Sequence, residues 1–214
     1  KGLAGIAGGD YAAGKKGVTL MSAQVFQGNS TASSFQNAIV WGADNGAVIS
    51  QNSWGNDYDF NHDDVLSAYE KDYALRDRIS SSMAAAIDYF IAYAGCDKDG
   101  NQKPDSPMKG GLVVFAAGNY GIANGVPASY APVIAVGASG MTGRLSSFSN
   151  YGSWVDICAP GESIYSCVAS GSYDRYQGTS MACPHVSGAL ALLLSQFGGE
   201  GFTNENLKEV LLEG

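Results

Sequence analysis

Three short apolar runs constrain the fold: Ala47 to Gln51, Leu112 to Ala116 and Val133 to Val136, each bounded by glycine, proline or polar turn residues. Runs this short, without polar alternation, read as strands buried on both faces. Helix-length stretches separate and follow them. Residues 34 to 45 begin a helix near Ser34, with Phe35, Ala38, Ile39 and Gly42 on one side; residues 79 to 94 form a second, ended by Gly95; Ser180 to Phe197 form a third, stopped by Gly198-Gly199. Val18 to Phe26 reads as a further strand. Strands alternating with helices predict an α/β fold, a parallel central sheet with helices on both faces. Active groups in such a sheet gather at the strand ends.

Two strand or helix ends carry candidate chemistry. In Gly178-Thr179-Ser180-Met181-Ala182-Cys183-Pro184-His185-Val186-Ser187-Gly188 a glycine turn opens directly into a helix of small residues. Ser180 then stands at the first turn, where unpaired N–H groups and the helix dipole favour an oxygen that becomes anionic. Pro184 is expected within the first turn, where its missing N–H costs nothing. The plain alternative is a helix capped by Thr179 or Ser180. In Gly110-Gly111-Leu112-Val113-Val114-Phe115-Ala116-Ala117-Gly118-Asn119, a buried strand runs into Gly-Asn, which sets a carboxamide at the sheet's edge. Its NH2 group is a candidate second donor to an oxyanion, although Gly-Asn is also an ordinary turn.

The eleven-residue string resembles the nucleophile motif of the subtilases, the subtilisin-like serine peptidases, at nearly every position. Ala116-Ala117-Gly118-Asn119, lying 61 residues before Ser180, is similar to the oxyanion motif of that family. The resemblance implies that Ser180 is the nucleophile and that Asn119 and the Ser180 N–H hold the oxyanion, with Ala117 and Gly118 among the substrate-binding residues. Gly125-Val126-Pro127-Ala128-Ser129-Tyr130-Ala131-Pro132 resembles the segment that follows, which implies Gly125 at the floor of the pocket for the side chain before the scissile bond. Ser147 to Gly152 and Val155 to Gly161 resemble the next, structural block. Ser50-Gln51-Asn52-Ser53-Trp54-Gly55 is similar to a strand end that finishes Ser-Leu-Gly in many members. By that likeness Ser53, Trp54 and Gly55 pair with an extended substrate as an added strand. Trp54 replaces the usual Leu; a bulkier pocket wall and a core tryptophan both remain open.

Composition narrows the partners. The 214 residues suffice for one domain with a real core, here expected to be a partial subtilase catalytic domain. A net charge of −8 and a sequence pI near 4.6 argue against nucleic acid or an anionic membrane surface. No apolar stretch is long enough to span a bilayer. Cys96, Cys158, Cys167 and Cys183 lack zinc-site spacing; a Cys158 to Cys167 bridge and free buried thiols both fit. The tract from Asn56 to Arg78 has seven acidic and three basic residues and reads as a solvated, partly helical insertion beside the substrate cleft. Asp97-Lys98-Asp99-Gly100-Asn101 has the wrong spacing for an EF-hand and reads as a polar turn. No metal ligands are assigned and no cofactor is required, while the resemblance leaves room for structural calcium.

Neither histidine fits the base that a serine nucleophile needs. His185 lies five positions beyond Ser180 on the same helix, about 140° around it. His62 sits in the insertion without a His-Gly-Thr signature, and no Asp-Thr-Gly or Asp-Ser-Gly string occurs. Lys1 to Gly9 resembles the stretch that follows the family's histidine segment. The expectation is therefore an N-terminally truncated subtilase domain, inert by itself, from a parent serine endopeptidase acting on polypeptides. Truncation predicts self-association or pairing with the missing N-terminal segment. The resemblance also implies secretion. A silent peptide-binding scaffold and an esterase or acyl transferase with the same nucleophile are the rival readings.

Overall fold

A computed structural model describes residues 5–10, 12–26 and 31–214. Along the chain run β1 (Gly9–Asp10), β2 (Lys15–Lys16), α1 (Ala32–Asp44), β3 (Ile49–Asn52), α2 (Ala68–Arg76), α3 (Ser81–Tyr93), β4 (Leu112–Ala116) and β5 (Ile134–Ser139). β6 (Ile157–Pro160), β7 (Ile164–Cys167), β8 (Tyr173–Tyr176), α4 (Thr179–Phe197) and α5 (Asn204–Glu213) complete it. The central sheet has the order β3-β4-β5-β6. β4 and β5 pair in parallel with Val114 opposite Ile134, and β5 and β6 pair in parallel with Val136 opposite Ile157. All five residues of β4 and the first five of β5 are buried, so the middle of the sheet is covered on both faces. Each such Val, Ile, Leu or Phe contributes about 1.5–3 kcal/mol of burial. This is the α/β architecture that the apolar runs predict.

The chain divides into two compact units. One comprises the described residues up to Ser50, Ser80–Val113 and Ser187–Gly214. In it α1 and α3 pack together, with Phe90 fully buried and its ring 3.5 Å from the position a Cβ would take on Gly42. Asn204, at the first turn of α5, donates to Ile91 O and Gly111 O. The expected strand Val18 to Phe26 does not form: these residues have no ladder partner among the described residues, and Val18, Leu20 and Phe26 are exposed. The Val18 N–H donates to Ala7 O at 3.0 Å. A strand-forming sequence becomes a strand only where a neighbour completes its hydrogen bonds. The expected likeness at Lys1 to Gly9 falls partly on Lys1 to Ala4, outside the described residues.

The other unit comprises Gln51–Ile79 and Val114–Val186. It holds the β7–β8 hairpin, with Tyr165 opposite Arg175, and the tract from Asn56 to Arg78. That tract has a small core of its own, Tyr58, Leu66 and Ala74 packed with Ile122. α2 starts with a reciprocal cap: Ser67 Oγ accepts from the Glu70 N–H and Glu70 Oε2 accepts from the Ser67 N–H. Glu70 Oε1 also accepts from the Phe60 and Asn61 N–H groups, so its buried carboxylate is fully hydrogen-bonded. The four cysteines are free; Cys96 and Cys183 are buried, Cys158 and Cys167 exposed.

Candidate active site

Gly178 precedes α4 with φ +145°, a conformation that glycine favours. The Met181 N–H returns to Gly178 O at 3.0 Å and starts the helix, which leaves the Thr179 and Ser180 N–H groups without helical acceptors. Thr179 uses its own on Asn119: its N–H donates to Asn119 Oδ1 at 2.8 Å and its Oγ1 to the same oxygen at 2.9 Å. The Gly118 N–H in turn donates to Thr179 Oγ1 at 3.1 Å. A backbone N–H at Oδ1 fixes the carboxamide orientation.

Nδ2 of Asn119 therefore faces away from Thr179 and meets no acceptor among the described residues. A Cβ on Gly178 would stand 3.4 Å from this Nδ2 and 3.7 Å from the Ser180 N. Both donors thus border one small space, which the missing side chain of Gly178 leaves open. Two fixed donors beside a serine at a helix N-terminus can stabilise a tetrahedral oxyanion.

The loop that carries Asn119 is held by Asn150, whose exposure is 0%. Asn150 Nδ2 donates to Ala117 O and Asn124 O at 3.1 and 2.8 Å, and Oδ1 accepts from the Tyr120 and Ile122 N–H groups. Its own N–H donates to Gly118 O at 2.9 Å. Gly118 has φ +107°, and a Cβ there would overlap Asn150 Nδ2. At Gly125 a Cβ would overlap Ala117 O and stand 3.0 Å from the Trp154 ring, so close packing of this loop on Ala117 already requires a glycine.

The Ser53–Gly55 segment continues from the end of β3. Ser53 Oγ donates to Ser180 O at 2.8 Å and accepts from Gln51 Nε2 at 2.6 Å. Helix α4 begins at Thr179, so Pro184 lies in the second turn, beyond the expected first. Its missing N–H leaves Ser180 O without an i+4 donor, and Ser53 supplies one. Trp54 stacks edge-on against buried Phe115, centroids 4.9 Å apart, and its Nε1 donates to Asn52 Oδ1. Trp54 is thus half-buried, in contact with the core through Phe115. Cys183, one turn past Ser180, donates to Asn52 O, and burial pushes its thiol up to about 11. It is a neutral packing group.

No described residue hydrogen-bonds Ser180 Oγ. His185 Nδ1 pairs with Met181 O at 2.7 Å, and exposed His62 Nδ1 lies 3.8 Å from Asp57 Oδ2. Sequence reasoning named Ser180 and Asn119 but missed Thr179 as the residue that orients Asn119, and Asn150 as the hub. The adjacency of Thr179 to the candidate nucleophile was the available signal for the first; Asn150 carried none, since its partners lie about thirty residues away. Among the described residues no cluster of three or more His, Cys, Asp or Glu could hold a metal ion, and no helix is long and apolar enough to cross a membrane. Asp97 Oδ1 accepts from the Asp99 and Asn101 N–H groups of its own turn.

Comparison with known proteins agrees with this geometry. The profile of the subtilase family (peptidase S8) matches residues 2–213. A thermophilic serine proteinase of Bacillus sp. (strain AK1) is 56% identical over 89 residues, 41% of this chain and 22% of that protein. Thermitase of Thermoactinomyces vulgaris is 51% identical over 89 residues, covering 41% and 32%. The crystal structure of a cold-adapted subtilisin-like serine proteinase superposes with a TM-score of 0.59 at 29% identity, covering 87% of this chain and 56% of that one. The chain thus spans little more than half of that solved relative and a smaller share of the curated ones. With the family profile matched almost end to end, and a serine, a carboxamide and a helix N-terminus meeting around Gly178, the chain belongs to the subtilase family.

Proposed function

We propose that this chain is the nucleophile-bearing part of a serine endopeptidase domain. Ser180 Oγ attacks the carbonyl carbon of a peptide bond, and the Ser180 N–H and Asn119 Nδ2 receive the negative charge that moves onto the carbonyl oxygen. The general base takes the Ser180 Oγ proton during attack and gives it to the leaving amine as the tetrahedral intermediate collapses, which leaves an acyl group on Ser180; water then releases it. The observation that carries this reading is the paired placement of two unpartnered donors beside Gly178. Ser53, Trp54 and Gly55 line the acyl side as an extended strand for substrate pairing, with Ala117, Gly118 and Gly125 forming the adjoining wall.

The general base and its orienting carboxylate come from polypeptide outside the described residues, because neither histidine pairs with Ser180. β3 ends the strand order, and exposed Val18, Leu20 and Phe26 have strand chemistry without a strand. Both support docking of a further strand, from the same gene product or a second copy. The chemistry needs no cofactor; calcium, if bound, is structural. Secretion follows from the family likeness. The 214 residues alone are inert in this reading, with a triad-less remnant giving about 1,000- to 10,000-fold over water, as in subtilisin itself.

Acyl-enzyme trapping tests the proposal. The complete gene product is mixed with a p-nitrophenyl ester and with internally quenched peptides, and then acid-quenched. A burst of acylation mapped to Ser180 together with peptide cleavage is expected. Acylation with ester turnover but no peptide cleavage would favour the esterase reading, and no acylation at all would favour a peptide-binding scaffold.

A further inference from the structure

The tract from Asn56 to Arg78 is tied to the loop that carries Asn119, through contacts at three levels. At the first, the C-terminal end of α2 meets residues 124–126. Asn124 Nδ2 donates to Ala74 O at 2.7 Å and Asp77 O at 3.3 Å, two carbonyls at the end of the helix. The Val126 N–H donates to Tyr58 OH at 3.1 Å, and the Asn56 N–H donates to Val126 O at 2.8 Å. At the second, Asp77 Oδ2 accepts from Tyr58 OH at 3.3 Å and from Asn56 Nδ2 at 2.6 Å, so one carboxylate fixes both residues that grip Val126. At the third, Asn150 Nδ2 joins Asn124 O to Ala117 O, and the Asn150 N–H donates to Gly118 O, directly before Asn119.

Tyr58 is 1% exposed and burial holds its phenol protonated, which keeps it a donor to Asp77 while it accepts from Val126. A second tie closes the outer edge, where Tyr120 OH donates to Asp57 Oδ1 at 2.6 Å. A tract that only decorated the surface would have no need to commit Tyr58, Asn56, Asp57 and Asp77 to one neighbouring loop.

We propose that the 56–78 tract is a brace for the oxyanion loop, in which Asp77 is a positioning residue: through Tyr58 and Asn56 it fixes Val126, and the connection through Asn124 and Asn150 sets where Asn119 stands. This deepens the peptidase reading of Ser180 and Asn119 and rests on it for its catalytic consequence. Asp77 touches neither substrate nor the reacting atoms. Its effect is on the distance between Asn119 Nδ2 and the developing oxyanion, and misplacement of a catalytic group by about 1 Å costs on the order of 100-fold.

The test uses the complete gene product and the variants Asp77→Ala, Asp77→Asn and Tyr58→Phe, read by hydrogen exchange with mass spectrometry and by peptide hydrolysis. Asp77→Ala should speed exchange across residues 117–126 about tenfold, the scale of one lost charge-assisted hydrogen bond, and leave residues 134–139 unchanged. It should lower kcat roughly 10- to 100-fold with KM moving much less. Tyr58→Phe should act in the same direction. Asp77→Asn, whose carboxamide oxygen can still accept from Tyr58 and Asn56, should restore both readouts to near wild type. Unchanged exchange at 117–126 in Asp77→Ala and Tyr58→Phe would overturn the brace, as would faster exchange spread evenly over the whole chain. Should the unsubstituted protein cleave no peptide, the peptidase reading fails and exchange still decides the brace.

Discussion

Ser53 Oγ donates to Ser180 O, the one α4 carbonyl that Pro184 deprives of its helical N–H. The end of the β3 segment is thereby fastened to the backbone of Ser180, the proposed nucleophile, and a residue expected to border substrate also holds Ser180 in place. Ser53→Ala should cost about 1 kcal/mol in urea unfolding, the value of a typical hydrogen bond. Adding Pro184→Ala to it should return most of that loss, since alanine supplies the missing N–H. Additive costs in the double variant would contradict the pairing.

Thr179 orients Asn119 with two donors to one oxygen. In the complete gene product Thr179→Val should lower kcat about tenfold through the loss of the hydroxyl, while Thr179→Ser keeps near-native rates. Asn119→Ala should cost about 100- to 1,000-fold, the range known for removing such a donor from a subtilisin. Steady-state kinetics on one peptide separates the three.

Asn150 satisfies four buried or half-buried backbone groups with one carboxamide. Asn150→Ala leaves all four unpaired, at about 1–3 kcal/mol for each group that water cannot reach. A loss of roughly 3 kcal/mol or more in chemical denaturation is expected, against well under 1 kcal/mol for an exposed control such as Glu200→Ala.

Glu70 has a folded-state pKa below its ordinary 4.5, chiefly from its side-chain hydrogen bond with Ser67 and then from the Ser67 N–H. The sign follows: stability from this carboxylate is present above the unfolded pKa and disappears as pH falls through the lower folded value. Limited proteolysis between residues 56 and 78 should therefore accelerate on acidification below the ordinary carboxylate range. Glu70→Gln should cut readily at every pH and lose most of that acid dependence.

The buried strands and long helices were legible because their patterns are local: the helices expected at 34 to 45, 79 to 94 and 180 to 197 appear as Ala32–Asp44, Ser81–Tyr93 and Thr179–Phe197. The placement of Ser180 in the first turn of α4 and of Asn119 just past β4 was legible because each lies where a local pattern ends. What local pattern misses is partnership across the chain. Val18 to Phe26 has strand composition but no neighbour to pair with among the described residues. Pro184 looked harmless until the start of α4 moved its lost partner onto Ser180 O. Tyr58, Asp77 and Asn150 act through residues far off in sequence, and α5 went unseen because its short apolar face, Leu207 above all, has meaning only against the groups it covers.

The most direct test of the account is intact-mass spectrometry of the complete gene product after exposure to a fluorophosphonate, followed by peptide mapping. One adduct per chain is expected, on Ser180, abolished by Ser180→Ala and slowed by Asn119→Ala. No adduct, or one that persists in Ser180→Ala, would contradict it.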